Sequence, residues 1–504
     1  MRPLPKVGYR SLIGSRATVI AAVAASAVGL IGTAWTGTLA ETRSGTVLQT
    51  NLVSDLPGVA AVQDPNLVNP WGISENNASP FWVADNNAGV STLYRVPGSS
   101  STPVSPVSLI VSIPTPVGLT GGTPTGTVFN TGLAVGAFTI TGFNSKGQPA
   151  SGPAIFLFST EDGTIAGWNP GVNPAGFAAA QAGTYAVLAA NSSGNNFTNP
   201  DPAKQTGAVY KGLAIATSNT PIIPGEADST SVLYASNFRA GAIDVYDTKF
   251  KKVTALPSGA FHDPALPAGF APFNVQTLNG KIYVTYARQN ATKHDDLAGA
   301  HRGFVDVFNP DGTPGLSKKA KRLISRGDLN SPWGLAIAPP GFAGISAENG
   351  DPVLLVGNFG NGRIRAYDAT NGSSLGGLND PDGEPIAIDG LWALKVGNGG
   401  AGGVTNAVYF TAGILGERHG LFGSLSTAAP GSAEGPAEQQ WVQANDALFK
   451  LDQDQLNADV ASGASAATIQ QDVRVLLADA DGLAGAVKAF AEDAADDAIP
   501  DSGD

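Results

Sequence analysis

The sequence predicts an all-β protein, a six-bladed β-propeller with a small C-terminal helical extension, from three observations. With 64 Gly and 35 Pro among 504 residues and only 14% charged residues, the composition favours many short strands joined by turns. A short motif recurs about every sixty residues. Two alternating apolar runs joined by a polar turn follow each copy, and repeats of this length built from strands alone are typical of propellers.

Six copies of the motif predict the first strand of each unit. They read NPWGIS (69–74), TPTGTV (123–128), VYKGLA (209–214), APFNVQ (271–276), SPWGLA (331–336) and GLWALK (390–395). The residues aligned at their centres are Trp71, Thr125, Lys211, Phe273, Trp333 and Trp392. Their spacings are 54, 86, 62, 60 and 59 residues, so we expect an insertion in the second unit, near the Asn/Gly-rich segment 191–207.

The paired runs after each motif predict a hairpin in every unit. These hairpins lie at 81–94, 155–169, 232–247, 282–309, 353–368 and 408–425. Six units of four short strands account for residues 45–427 as one propeller domain. A stacked solenoid is the structural alternative, although solenoid repeats are usually shorter.

The two ends of this domain predict how the ring closes. The segment 46–55 alternates like a strand but precedes the first motif, and the sixth unit runs out after residue 427. We therefore expect the N-terminal strand to complete the last blade, which leaves the ring without an open edge.

Residues 1–40 predict a signal peptide of the general secretory type. Basic residues precede a long uncharged stretch, and the small residues Thr38 and Ala40 suit cleavage after Ala40. We expect an exported mature protein without a membrane span. A membrane anchor that stays attached is the alternative.

Cysteine content and charge exclude several function classes. The chain has no Cys, which rules out disulfides, thiol nucleophiles and thiolate metal ligands. Residues 431–504 hold 15 acidic and 3 basic residues, while residues 1–430 hold 26 of each, so the net charge of −12 belongs to the tail. A neutral body argues against nucleic acid as a partner.

The sequence changes character after residue 427. Residues 428–436 have the composition of a linker, and residues 437–504 predict an acidic helical tail. Its apolar residues recur at three- and four-residue steps: Ile469, Val473, Leu476, Ala480, Leu483, Val487 and Phe490. Docking on the propeller or self-packing is the favoured interpretation. Pairing with a partner and a loosely ordered tail are the alternatives.

Segments spread over residues 45–427 carry a family resemblance. They are NPWGI, NFRAGAIDVYD, GFAPFNVQ, KHDD, LNSPWGLAIAP and GNFGNGRI. Together they resemble a family of bacterial secreted proteins that is known mainly as conserved and uncharacterised. More broadly, the motifs and hairpins resemble the six-bladed propellers that include NHL-repeat, SMP-30/gluconolactonase and strictosidine synthase-like proteins. The resemblance implies the fold and brings no established reaction.

Polar residues at the hairpin turns are the candidate ligand residues, because these turns share one rim of a propeller's channel. Asp85, Asn237 and Asn358 take the same offset after an apolar strand, and such a ring of oxygens suits a divalent cation such as Ca²⁺. The gluconolactonase-like relatives hold a divalent metal in the channel, which is a fold-level analogy. Asn237, Arg239, Asn358 and Trp333 are candidate ligand contacts, although packing between blades is the commoner role for such a Trp.

Charged clusters on two turns are the candidate catalytic groups. The fourth turn inserts RQNATKHDDLAGAHRG, where His294, Asp295 and Asp296 would supply a general base or a metal site. Glu417 and His419 form a second cluster on the sixth turn. The alternative is a solvated loop. The remaining polar turn residues are Asn86, Asn87, Glu161, Asp162, Asn361 and Arg418, some of which are ordinary tight-turn residues.

Three functions compete on this sequence. The first is an exported propeller that binds a small molecule or a protein at its rim, with no assigned cofactor. The second is a metal-dependent hydrolase or lactonase of the SMP-30-like type, with a divalent cation on Asp85, Asn237 and Asn358. The third is an envelope module whose acidic tail recruits a partner. Since no motif has fixed catalytic spacing, binding is placed ahead of catalysis.

Overall fold

A computed structural model describes residues 45–98, 103–316 and 321–429. The predicted signal peptide and helical tail lie outside these ranges, as does the predicted linker except for residues 428–429. None of the helices within the three ranges has the length and apolar character that a membrane span requires.

The described residues are nearly all strand, turn and loop. In chain order the strands are β1 (Gly45–Ser54), β2 (Val62–Gln63), β3 (Pro70–Ser74), β4 (Phe81–Asp85), β5 (Val90–Arg95), β6 (Ser105–Pro106), β7 (Val111–Ser112), β8 (Pro124–Phe129), β9 (Thr139–Phe143), β10 (Pro149–Pro153), β11 (Phe156–Thr160), β12 (Thr164–Trp168), β13 (Val187–Asn191), β14 (Tyr210–Thr217), β15 (Ser231–Asn237), β16 (Ala242–Tyr246), β17 (Phe270–Leu278), β18 (Lys281–Arg288), β19 (Phe304–Phe308), β20 (Arg322–Ser325), β21 (Pro332–Ile337), β22 (Val353–Asn358), β23 (Ile364–Asp368), β24 (Ser374–Asn379), β25 (Leu391–Val396), β26 (Ala407–Ala412) and β27 (Leu421–Thr427). Within the described ranges, helical structure is confined to short turns at Leu133–Val135, Ala179–Gln181, Pro202–Lys204, Phe342–Gly344, Glu348–Gly350 and Ile414–Glu417.

Most strands pair with a neighbour in the chain, and the main exception is β1, which lies between β24 and β27. The sheets are β3-β4-β5-β6 with β7 on β5, β8-β11-β12-β13, β14-β15-β16, β17-β18-β19-β20, the hairpin β9-β10, and a nine-stranded sheet β21-β22-β23-β24-β1-β27-β26-β25 with β2 on β1. All six predicted hairpins are confirmed as antiparallel pairs: β4–β5, β11–β12, β15–β16, β18–β19, β22–β23 and β26–β27. The fold is therefore all-β and propeller-like.

Strand β1 connects two parts of the nine-stranded sheet. It pairs antiparallel with β27, from the Val47–Thr427 pair to the Ser54–Leu421 pair. Its first two residues pair in parallel with β24. The side chains of Val47 and Val53 are fully buried, so the strand contributes apolar surface as well as backbone hydrogen bonds.

The first strand of each unit lies at the centre of the fold. β3, β8, β14, β17, β21 and β25 contact one another in that order, and β25 also contacts β3. In five of the six units a small residue follows the aligned motif residue and permits this approach. A Cβ on Gly126 would lie 2.2 Å from the Leu213 nitrogen, and one on Gly212 would lie 2.2 Å from Oδ1 of Asn274. The glycines of the motif are thus required by close strand contact.

Apolar side chains fill the space between neighbouring sheets. Trp82 of β4, for example, stacks on Phe156 of β11 at 4.1 Å between ring centroids and contacts Trp168 of β12. These rings belong to one buried cluster that joins the first two sheets. The alternating residues of each strand therefore face partners on both sides, as expected for sheets packed face to face.

The long second unit contains more than the predicted insertion. Its first and second strands are separated by the hairpin β9–β10, which was not predicted from the sequence. In the segment 191–207, Asn191 ends β13, and the remaining residues form a loop that leads into β14 and includes the short helical turn Pro202–Lys204. The extra length is thus shared between two places, and the hairpin escaped notice because its strands carry little apolar alternation.

Candidate functional site

Four aromatic rings at the aligned motif positions pack together at the centre of the fold. Trp71 and Trp392 stack with their ring centroids 3.6 Å apart, and Trp333 and Phe273 lie 5.8 and 5.9 Å from Trp392. All four side chains are buried. Trp333, a predicted ligand contact, therefore lies inside this layer, where its Nε1 donates to the Lys211 carbonyl at 3.0 Å.

Lys211 is the one charged residue at these six positions. Its side chain is only 3% exposed and forms ion pairs with Glu161 and, at 3.2 Å, with Asp295. The ammonium also lies 5.0 Å from the centroid of the Trp71 ring. Lys211 was aligned from the sequence, but no role was predicted for it. The sequence nevertheless distinguishes this position, since a lysine stands where four of the six units have an aromatic residue.

The surroundings of Lys211 keep it and Asp295 charged. Burial alone would lower the pKa of Lys211, but Glu161, Asp295 and Glu417 raise it above its usual value. Burial opposes ionisation of Asp295 as well. The hydrogen bond from His294 and the charge of Lys211 nevertheless hold the pKa of Asp295 below its usual range.

The long turn between β18 and β19 brings its charged residues to Lys211. Nδ1 of His294 lies 2.7 Å from Oδ1 of Asp295. Glu161, from the turn between β11 and β12, accepts a hydrogen bond from Nδ2 of Asn86 at 3.0 Å. Glu161, His294 and Asp295 each offer a ligand atom within 4.8 Å of the others. Residues far apart in sequence thus meet at one place.

Glu417 is held at the same place by two asparagines. Nδ2 of Asn69 donates to its carboxylate at 2.9 Å, and Nδ2 of Asn87 donates to its carbonyl at 2.6 Å. Leu415 and Glu417 have φ values of +57° and +66°, a conformation unfavourable for residues with a side chain. Backbone strain of this kind persists where the surrounding contacts enforce it, which is common at functional sites.

We name seven residues the Lys211 cluster. They are Glu161, Asp162, Lys211, His294, Asp295, Asp296 and Glu417. Burial, together with the negative charges of Glu161 and Asp296, raises the pKa of Glu417 to about 7. The charge of Lys211 and the hydrogen bond from Asn69 act in the opposite direction. Burial also raises the pKa of Asp162 to about 6 and raises that of Asp296. The cluster therefore combines permanently charged groups with carboxyl groups that titrate near neutral pH.

The predicted cation ligands Asp85, Asn237 and Asn358 form hydrogen bonds within their own sheets or to an adjoining connection. Nδ2 of Asn237 donates to Asp244 at 3.1 Å, and its Oδ1 accepts from a turn nitrogen. The Asn358 amide likewise bonds two backbone groups, at 2.8 and 3.0 Å. Oδ2 of Asp85 accepts from the Thr92 nitrogen at 2.9 Å. The cation site at these residues stays a prediction, since it requires the amide groups to give up existing hydrogen bonds.

Asp85 is fully buried. Its burial and, to a smaller extent, the charge of Asp64 raise its pKa well above the usual value. The unfolded chain ionises Asp85 above pH 4 while the folded chain resists ionisation, so this group destabilises the fold as pH rises. We expect Asp85→Asn to raise the free energy of unfolding at pH 8 by about 1 kcal/mol and to have less effect at pH 4. Denaturant unfolding at both pH values tests this.

Asp85→Ala is the matched comparison, because it leaves the Thr92 nitrogen without its acceptor. We expect this variant to be destabilised at both pH values. A lower stability of Asp85→Asn at pH 8, or loss of a bound divalent cation from it, would instead favour the cation-site prediction.

Arg239 and His419 are placed outside the Lys211 cluster. Arg239 holds the loop 191–207 through hydrogen bonds of 2.6 Å to Asn196 and 3.1 Å to Gln205. Nδ1 of His419 lies 2.7 Å from Oδ2 of Asp55, just after β1. Of the two charged clusters predicted from the sequence, the structure therefore brings His294, Asp295, Asp296 and Glu417 to Lys211, and pairs His419 with Asp55 instead.

Two relatives of this chain are proteins of Acanthamoeba polyphaga mimivirus. "Uncharacterized protein R648" is 30% identical over 388 residues, which cover 74% of this chain and 78% of the relative. "Uncharacterized protein L690" is 32% identical over 384 residues, covering 74% of this chain and 84% of the relative. No protein-family model matches the chain. These relatives are viral, whereas the resemblance inferred from the sequence segments was to bacterial secreted proteins.

A solved structure with a similar arrangement is an α-L-arabinofuranosidase of Fusarium graminearum in complex with an iminosugar inhibitor. It is 10% identical, covers 76% of this chain and 98% of its own, and has a TM-score of 0.40.

Proposed function

The chain belongs to the protein family of the mimivirus proteins R648 and L690, and from its own residues we propose that it is a closed six-bladed propeller that binds a small ligand at the mouth of its channel. The mouth is the end of the sheets where the Lys211 cluster lies. The observation that carries the proposal is this cluster, in which residues from turns of several sheets surround one buried lysine.

The ring geometry is supported by contacts at the centre and at the edge. The six first strands contact one another in order, and the contact between β25 and β3 joins the last unit to the first. The pairing of β1 with β27 supplies a fourth strand to the last unit. A closed ring of six blades explains both observations and leaves the Lys211 cluster at the point where turns converge, which is where ligands of such folds usually bind.

A second candidate function is hydrolysis of an ester or lactone. The observation that favours it is the opposite pKa shift of two carboxyl groups, since Asp295 stays ionised while Glu417 has a pKa of about 7. Such a pair suits a base and a proton donor in one site. The metal-dependent form of this activity would use Asp85, Asn237 and Asn358, whose side chains already form hydrogen bonds to neighbouring protein groups.

A thermal-shift screen against divalent cations, lactones, sugars and amines tests the binding proposal. We expect a compound that raises the melting temperature of the wild type to lose that effect in Glu417→Gln. Glu348→Gln, an exposed carboxyl on the connection between β21 and β22, should keep it. A shift that survives in Glu417→Gln and in Asp295→Asn would overturn the proposed site.

The same compounds distinguish catalysis from binding. If Glu417 donates a proton, kcat for a lactone should fall as pH rises through about 7, and Glu417→Gln should lower kcat by about 100-fold or more. A bound lactone that is recovered unchanged would leave binding as the function and exclude its hydrolysis.

We further propose that the protein is exported, on the signal-peptide pattern of residues 1–40. N-terminal sequencing of the mature protein tests this. Cleavage after Ala40 is the expected result, and an intact N-terminus on protein retained inside the cell would contradict it.

A further inference from the structure

We propose that the ligand of the Lys211 cluster is an organic ammonium ion held by Asp296 and Glu417. This inference rests on the proposed function and names the ligand class of that site. It goes beyond the cation prediction made from the sequence, because it assigns different residues and a different kind of cation.

The charge of the cluster is the first argument. Lys211 forms ion pairs with Glu161 and Asp295. Asp162, Asp296 and Glu417 have no ion-pair partner within the described ranges, and their hydrogen-bond donors are neutral, such as the Thr123 nitrogen for Asp162 and the Asn69 amide for Glu417. Three carboxyl groups of the cluster therefore have no cation in direct contact, and a cationic ligand would supply one.

A buried oxygen without a donor is the second and independent argument. Oδ2 of Asp296 is inaccessible to solvent and accepts no well-formed hydrogen bond from any described residue. The Ser331 hydroxyl lies near enough to oppose the effect of burial on the pKa of Asp296, but its Oγ is likewise without a hydrogen-bond partner. Leaving a buried acceptor unpaired is costly, so native structures seldom do so without a ligand or water that donates to it. An ammonium group with N–H bonds can donate to this oxygen, whereas a fully alkylated one stabilises the carboxylate by its charge alone.

Lys211 itself argues against a divalent metal ion at the residues whose spacing would suit one. Glu161, His294 and Asp295 form the one group of ligand atoms close enough for a metal in the described part of the chain. The Lys211 ammonium already lies between two of them, and a divalent ion there would be repelled by it.

The aromatic layer already accommodates one ammonium group. Lys211 lies over the Trp71 ring, which shows how the site accommodates an ammonium group. Phe359 is only partly buried and stacks on Trp392 at 4.0 Å. Phe359 is therefore the ring of this stack that keeps some exposed surface for a ligand.

Calorimetric titration of the full chain at pH 8 and low salt tests the inference. The probes are 1,5-diaminopentane, choline, CaCl₂, and 1,5-pentanediol as the uncharged analogue of the diamine. We expect one of the two amines to bind, the diol not to bind, and Asp296→Asn and Glu417→Gln each to weaken amine binding at least tenfold. Glu348→Gln, which lies on a connection at the opposite end of the strands, should leave binding unchanged.

Proton release provides a second measurement. Because the pKa of Glu417 is about 7, a bound cation should displace a proton from it at neutral pH. Titrations in two buffers with different enthalpies of ionisation should show this release in the wild type and not in Glu417→Gln.

The outcomes separate the inference from the proposed function. Binding of CaCl₂ or of a neutral compound that depends on Glu417, with no binding of either amine, overturns the inference and leaves the ligand site in place. Equal binding of the diol and the diamine overturns it as well. If no probe and no compound of the thermal-shift screen depends on Asp296 or Glu417, both proposals fail.

Discussion

Deletion of residues 45–54 is expected to lower the melting temperature of the protein by about 10 °C or more. The deletion removes β1, which pairs along the whole length of β27 and also touches β24. It exposes the edge of β27 and removes the fully buried side chains of Val47 and Val53. Differential scanning calorimetry or circular dichroism measures the effect.

Deletion of residues 41–44 is the matched control, because these residues precede β1, and it should leave the melting temperature unchanged. If the shortened chain fails to fold alone, a peptide of residues 45–63 added in trans should restore a cooperative transition. A chain without β1 that melts within about 2 °C of the full protein would contradict the closed ring.

Replacement of Lys211 by Met is expected to lower the free energy of unfolding by about 3 kcal/mol. The substitution keeps the length of the side chain but leaves Glu161, which is largely buried, without its cation. The loss is tempered by Asp295, whose carboxylate is 58% exposed and remains solvated. Denaturant unfolding at several pH values measures both the size of the loss and its dependence on ionisation.

The pH dependence distinguishes a charge effect from a packing effect. If the loss comes from the broken ion pair between Lys211 and Glu161, the variant should lose more stability at pH 8 than at pH 4. Lys249→Met removes the lysine of an exposed ion pair with Asp228 and should change stability little. The double variant Lys211→Met/Glu161→Gln should regain part of the loss at pH 8. A loss that is the same at every pH would mean that Lys211 acts through packing alone.

The strands and hairpins were largely predictable from the sequence. Apolar strands on either side of a polar turn, as in 232–247 and 353–368, identify β15–β16 and β22–β23. The motif glycines were recognisable as a repeat, but their reason, the approach of one first strand to the next at Gly126 and Gly212, appears only in three dimensions.

The candidate site was predictable only in part. His294, Asp295, Asp296 and Glu417 stood out as charged residues on turns, and the structure places them in one cluster. Asp85, Asn237 and Asn358 share an offset, from which a common ring was predicted, yet each bonds groups of its own sheet or of an adjoining connection. A buried polar side chain takes the nearest partner that satisfies it, and sequence offset does not specify that partner.

By itself, the sequence determined the all-β class, the repeat and the position of each hairpin, because these depend on the local alternation of apolar and polar residues. Only the tertiary structure decided the role of Lys211. Its partners Glu161 and Asp295 lie 50 and 84 residues away in the chain, on turns of other sheets. Such contacts depend on how whole sheets pack around the centre. That packing also sets the burial that shifts the pKa of Glu417 towards neutrality.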